Sequence, residues 1–160
     1  MPDMLVHLLK IERPDGLLAE LREKGVVVRR ANAWEMTPIR EFILKHFGAG
    51  WADEVIPAYS RQPTSLFIAI RDGKVIGFGA FDATRRGFFG PTGVAENERG
   101  TGVGKALLLA CLIGMREAGY VYGIIGGAGP VSFYEKCCAG VVIPDSVPGI
   151  YTDMLTGQSA

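Results

Sequence analysis

"GPTGVAENERGTGVGKALLL", residues 90–109, runs from a strand-like start through a glycine-dense middle into a leucine-rich run, with five glycines in its first fifteen positions. A strand that ends, a glycine turn and a helix that starts leave several backbone N–H groups unpaired at the helix N-terminus. Such a junction is an anion site: glycines let a phosphate approach the backbone, and Arg99 and Lys105 add positive charge beside it. Two nucleotide motifs are excluded by spacing. A Walker loop requires Gly at position 99 and Ser or Thr at 106, where Arg99 and Ala106 stand. A dinucleotide fingerprint starting at Gly100 requires glycine at 105, where Lys105 stands.

The flanks of this stretch set its structural context. "SLFIAIRDGKVIGFGAF" (65–81) is two apolar runs joined by Asp72-Gly73, which predicts an antiparallel hairpin. "FFGPTGV" (88–94) continues the meander as a third strand. Pro91 and Gly93 weaken its ladder, so it is expected to bulge or part from a neighbour near its C-terminal end. "GKALLLACLIGMREAG" (104–119) is a helix apolar on most of its circumference, buried against the sheet. Upstream, "GVVVRRA" reads as a strand, "MTPIREFILKHFG" as a helix with Thr37 as N-cap, and "WADEVIPAYSRQ" as a weaker helix. Downstream come the strand "YVYGIIGG", the short helix "PVSFYEKCC", the strand "GVVIP" and a last strand "GIYTDML". The order β-α-α-β-β-β-α-β-α-β-β predicts an α/β (α+β) fold, a mixed and mostly antiparallel sheet with helices on both faces. Residues 1–24 are expected to be an N-terminal arm and helix packing on the body or on a second subunit, and residues 25–160 a single domain.

With 160 residues, one domain is expected. Lys plus Arg equal Asp plus Glu at 17 each, so no overall positive field draws nucleic acid or an anionic membrane. Three cysteines, with Cys137 and Cys138 adjacent, suggest a reducing cytoplasm, and the N-terminus does not read as a secretory signal. No Cys or His group has metal-ligand spacing, so no metal is expected.

Arg99, Gly102 and Gly104 fit Arg-x-x-Gly-x-Gly, preceded by Val94 at a strand end, and "FYEKCC" (133–138) follows at a suitable distance. On these two motifs and the element order from about residue 25 onward, the chain resembles the GCN5-related N-acetyltransferase (GNAT) family. Its signatures are (Arg/Gln)-x-x-Gly-x-(Gly/Ala) at this junction and Phe-Tyr-Glu-Lys-x-Gly. The resemblance implies acetyl-CoA as cofactor, its pyrophosphate held by Gly100, Thr101, Gly102, Val103, Gly104 and Lys105 beside Arg99. It also implies a pantetheine arm bonded like an added strand to Thr92, Gly93 and Val94. Phe133 and Lys136 complete the cofactor set, with Lys136 facing either the 3′-phosphate or solvent.

The implied reaction is transfer of acetyl to an amine of a small molecule or peptide by direct attack on the thioester. An alkylamine is uncharged in only about one molecule in two thousand at pH 7, so a route for its proton is needed. The resemblance suggests the Val94 N–H as oxyanion donor and the Tyr134 hydroxyl as acid for the departing thiolate. No carboxylate stands in "GFFGPTGV", which leaves Asp82, Glu96 and Glu98 as candidate bases acting through water, each more readily read as a solvated surface charge. Gly127 stands where the family often has Asn, and Cys138 and Ala139 where Gly and an aromatic are usual. The acceptor pocket is expected between segment 51–61 and the loops near 82–87 and 144–150, with Trp51, Tyr59 and Phe81 as possible walls and Arg85 and Arg86 as attractors of acidic groups. A non-catalytic acyl-CoA-binding module is the alternative, and the apolar "MLVHLL" suggests a possible homodimer.

Overall fold

The computed structural model describes residues 1–157. Seven strands form one sheet: β1 (Met4–His7), β2 (Val26–Arg30), β3 (Leu66–Arg71), β4 (Lys74–Phe81), β5 (Phe88–Val94), β6 (Tyr122–Ile125) and β7 (Val141–Val142), in spatial order β2-β3-β4-β5-β6-β1-β7. All neighbouring pairs are antiparallel except β5 and β6. The helices are α1 (Asp15–Glu23), α2 (Met36–Phe47), α3 (Ala49–Glu54), α4 (Val103–Glu117) and α5 (Val131–Cys138).

The β3–β4 hairpin closes where its turn chemistry predicts: Asp72 and Gly73 both take positive φ, 49° and 71°, between the paired Arg71 and Lys74. Helix α4 carries leucines around its circumference because it is enclosed on several sides. Leu107 packs with Val103 and Ala106 against Ala69 and Ile76, together with Leu21 of α1. Leu108, Leu112 and Met115 join Met4 and Val6 of β1, Ile125 of β6 and Tyr134 of α5. Its close seat depends on the sheet: a Cβ on Gly77 would lie 3.0 Å from Leu107 Cδ1. On the opposite face, Ile39 and Ile43 of α2 and Ala52 of α3 cover Ile68 and Phe78. Helices therefore lie on both faces, as expected.

Three local expectations change. Helix α2 begins at Met36, and its cap is a box one turn earlier instead of Thr37: Glu35 accepts from the Asn32 backbone N–H at 2.7 Å, and the Asn32 side chain caps in return. "MLVHLLKI" enters the sheet, because Met4 and Val6 face the core while the backbone pairs with β6 on one side and β7 on the other. The last strand expected at 149–155 does not form. The place beside β6 is filled by β1, and the tail instead crosses the sheet end, where a Cβ on Gly127 would lie 3.3 Å from Tyr151 Cε2.

Strand β5 does part from its neighbour. It pairs with β6 only at Phe88↔Ile124 and Phe89↔Ile125, and beyond Gly90 the two strands separate. Its other edge stays bonded to β4, with one register shift between Gly79 and Phe81.

Candidate active site

The register of β5 decides which backbone groups reach the gap. Ala95 N–H donates to Ile76 O at 2.9 Å, and Val94 stands opposite Gly77 and Thr92 opposite Gly79. In an antiparallel ladder bonded and non-bonded pairs alternate, so Val94 and Thr92 turn their N–H groups away from β4, towards the side that β6 has left. Gly93, between them, lies under Phe47, where a Cβ would stand 2.5 Å from Cζ, so any side chain here would displace the ring.

From Val94 the chain makes a short turn over Glu96–Glu98 and enters the glycine loop. Thr101 Oγ1 donates to Glu98 O at 2.6 Å, and Arg99 Nε donates to Val94 O at 3.3 Å. Gly102, the N-cap of α4, has φ 91° and ψ −6°, a left-handed conformation that favours glycine, and Leu17 of α1 lies 3.3 Å from where its Cβ would be. The first helical bond runs from Ala106 N–H to Gly102 O at 3.0 Å. Among the described residues, no backbone N–H from Gly100 through Lys105 donates to a backbone carbonyl, which leaves a run of six donors at the positive end of a fifteen-residue helix. The nearby acid is neutralised: Glu98 accepts two bonds from Arg71, each of 3.1 Å. Burying this arrangement empty-handed would be costly, and Gly100, Thr101 and Lys105 are exposed.

Lys105 also lines a groove with Lys136 and Cys137 of α5 and with Lys10 and Glu12, so three lysines and one carboxylate share a depression next to the loop. Phe133 packs edge-on against Tyr134, with ring centroids 5.2 Å apart, and Tyr134 in turn meets Phe89 edge-on at 6.3 Å. Tyr134 is buried, and burial, followed by the neighbouring Cys138 and Cys137, pushes its hydroxyl up to about 12. It stays protonated at any ordinary pH.

Where β5 and β6 diverge there is a cavity of about 380 Å³. Phe89, Thr92 and Ile125 line it from the strands, Tyr134 from α5, and Trp51 and Glu54 from α3. Thr84 and the tail residues Val147, Pro148 and Tyr151 complete its walls, so all three segments expected to surround an acceptor contribute. Trp51 is fixed by stacking on Phe47, with centroids 5.3 Å apart and planes 28° apart.

Other expected residues lie elsewhere. Tyr59 packs in the α2–α3 core, and Phe81 is buried under α4. Asp82 is a buried brace: it accepts from Gly87 N–H at 2.7 Å and from the Tyr120 hydroxyl at 2.9 Å, with Arg61 at 3.7 Å. Neither Asp82 nor Glu98 is therefore free to act as a base. Arg85 and Arg86 are exposed outside the cavity, with Arg85 Nη1 bonded to Thr84 O. Sequence reasoning missed Glu54 and Thr84. Their hydrogen bond, Thr84 Oγ1 to Glu54 Oε1, joins α3 to the β4–β5 turn across the cavity mouth. Among the described residues no group of three His, Cys, Asp or Glu side chains is placed to hold a metal, and no helix is long and apolar enough to cross a membrane.

Comparison with known proteins agrees with this geometry. The fold resembles a GCN5-related glucosamine N-acetyltransferase region of a fungal multi-domain GH3 β-N-acetylglucosaminidase, with TM-score 0.72, 16% identity, and coverage of 89% of this chain and 19% of that one. It also resembles a GCN5-related N-acetyltransferase from Sphaerobacter thermophilus, with TM-score 0.63, 17% identity, and coverage of 89% and 48%. A GNAT family acetyltransferase from Brucella melitensis, in complex with acetyl-CoA, matches with TM-score 0.52 and 19% identity over 74% of this chain and 91% of that one. The chain thus spans 19% and 48% of the length of the first two. Among curated proteins none matches the sequence significantly. Residues 19–138 match the acetyltransferase (GNAT) family, and the chain belongs to that family, whose acyl donor is acetyl-CoA.

Proposed function

We propose that this protein binds acetyl-CoA along β5 and the α4 N-terminus and transfers its acetyl group to an amine held in the cavity between β5 and β6. The observation that carries this reading is the continuity of the donors: the gap-facing N–H groups of Thr92 and Val94 lead directly to the six unpaired N–H groups of Gly100–Lys105. An extended pantetheine arm matches the first pair, and a pyrophosphate matches the second group. Arg99 and Lys105 supply charge at the pyrophosphate, and Lys136, on the groove it shares with Lys105, suits the 3′-phosphate.

The chemistry follows from what lines the cavity. The acceptor nitrogen, having given its ammonium proton to solvent, attacks the thioester carbonyl carbon. The developing oxyanion takes a hydrogen bond from Val94 N–H, and as the C–S bond breaks the nitrogen's surplus proton passes through water to the departing sulfur. The departing sulfur, with a thiol pKa near 8.5, is a fair leaving group on its own. Tyr134, held near 12, is a stronger hydrogen-bond donor to that sulfur than a source of its proton. The three cysteines are free thiols, in keeping with a reducing, cytoplasmic setting as part of this reading.

Turnover is tested by supplying acetyl-CoA with a panel of amines and measuring free thiol release. The expected result is acceptor-dependent release that Tyr134→Phe slows without weakening acetyl-CoA binding. Saturable binding with no turnover on any amine would favour a non-catalytic acyl-CoA-binding module instead.

A further inference from the structure

Resting on the acetyl-transfer reading above, we propose that Glu54 selects the acceptor: the cavity takes a primary ammonium carried on a flat apolar body, without a carboxylate beside the nitrogen. Glu54 ends α3 and is half-buried, and among the described residues it is the only charged side chain that lines the cavity. Its placement is built. Thr84 Oγ1 bonds Oε1 and fixes the carboxylate from across the mouth, while Oε2 has no protein partner among the described residues. A carboxylate so held, at a largely apolar cavity, attracts a cation more strongly than one free in water.

The remaining walls define the rest of the ligand. Trp51, stacked on Phe47, and the rings of Phe88 and Tyr151 present flat apolar surfaces. No lysine or arginine side chain lines the cavity to receive an acceptor carboxylate. Arg61 is paired with Asp82 at 3.7 Å, Arg85 and Arg86 are exposed outside the cavity with Arg85 bonded to Thr84 O at 3.1 Å, and Met1 lines the cavity with its side chain seated on Gly129. An amino acid would bring its carboxylate to Glu54 uncompensated, a like-charge penalty that a simple aryl- or alkylamine avoids.

Three probes of nearly one shape separate these terms: benzylamine carries the cation, benzyl alcohol removes it, and α-phenylglycine adds a carboxylate. Each is titrated at pH 7 by protein-observed NMR into the wild type and Glu54→Gln, both with and without saturating CoA. The amide oxygen of Glu54→Gln still accepts from Thr84, so the mouth keeps its shape and only the charge is lost. The wild type is expected to bind benzylamine about tenfold more tightly than either other probe, the scale of one charged hydrogen bond. In Glu54→Gln that preference disappears while benzyl alcohol binds as before. No benzylamine binding, equal binding of phenylglycine, or a preference that survives in Glu54→Gln would overturn the assignment. The CoA-free arm keeps the two readings separate: failure of CoA to bind removes the transfer reading, whereas the amine preference is read independently of it.

Discussion

The two sides of the proposed site are built in opposite ways. The donor side is nearly continuous in sequence, from Thr92 through Lys105, and its working groups are backbone N–H donors whose direction is set by strand register and one helix start. The acceptor side is assembled from α3, the β4–β5 turn, the β6 end, α5 and the tail, and its working groups are side chains. A site made of backbone is specified by local residues such as Gly102; a site made of side chains is specified by which distant segments happen to meet.

That contrast can be broken or sharpened by substitution. The largest stability effect belongs to the platform of the donor side. Leu107 is fully buried against Ala69 and Ile76, so Leu107→Ala should cost about 3 kcal/mol in denaturant unfolding. A cost below about 1 kcal/mol would mean that α4 is not packed tightly against the sheet. Next, Tyr134→Phe should lower kcat by roughly ten- to a hundredfold with unchanged acetyl-CoA affinity. Because the Tyr134 hydroxyl titrates only near 12, the shape of the pH–rate profile should be the same in both proteins up to about pH 10. A changed affinity would place Tyr134 on the donor side.

A smaller effect is expected from Thr84→Val, which removes the bond to Glu54. Stability should fall by about 1 kcal/mol while acetyl-CoA binding stays as it was, and a parallel loss of cofactor binding would show that the two sides are not separable. The smallest effect concerns acid. Arg29, hydrogen-bonded to Glu35 at 2.6 Å, holds that carboxyl down at about 2, opposed by partial burial and helped by the Asn32 backbone. A depressed folded value contributes stability above the unfolded value near 4.5, and that contribution is lost as pH falls through about 2. Glu35→Gln should flatten the stability profile in that window by a fraction of a kcal/mol, since the pair is partly solvated.

The same contrast explains what was legible in the sequence. The Asp72-Gly73 hairpin, the glycine loop, the leucine helix and the parting of β5 near Pro91 are all local consequences of residue type, and each stands where it was read. The place of "MLVH" was not legible, because its two partners lie more than a hundred residues away and only their register makes it a strand inside the sheet. Residues 149–155 form no strand; of their apolar residues Tyr151 lines the cavity, while Met154 and Leu155 are exposed. Glu54 lay within the segment expected near the acceptor but carried no local mark. Its role depends on Thr84, thirty residues on, and on the absence of other charged side chains along the cavity among the described residues. Asp82 shows the converse: a carboxylate well placed in sequence proves to be spent on Gly87 and Tyr120.

Calorimetric titration of the wild type and Gly102→Glu with acetyl-CoA tests the donor side most directly. Glutamate at φ 91° puts strain, bulk against Leu17 and a negative charge at the mouth of the six free donors. With the fold of the variant verified by circular dichroism, saturable binding should be seen in the wild type and weakened at least a hundredfold in the variant. Equal binding in both, or none in the wild type, would contradict the placement of the cofactor at this helix start.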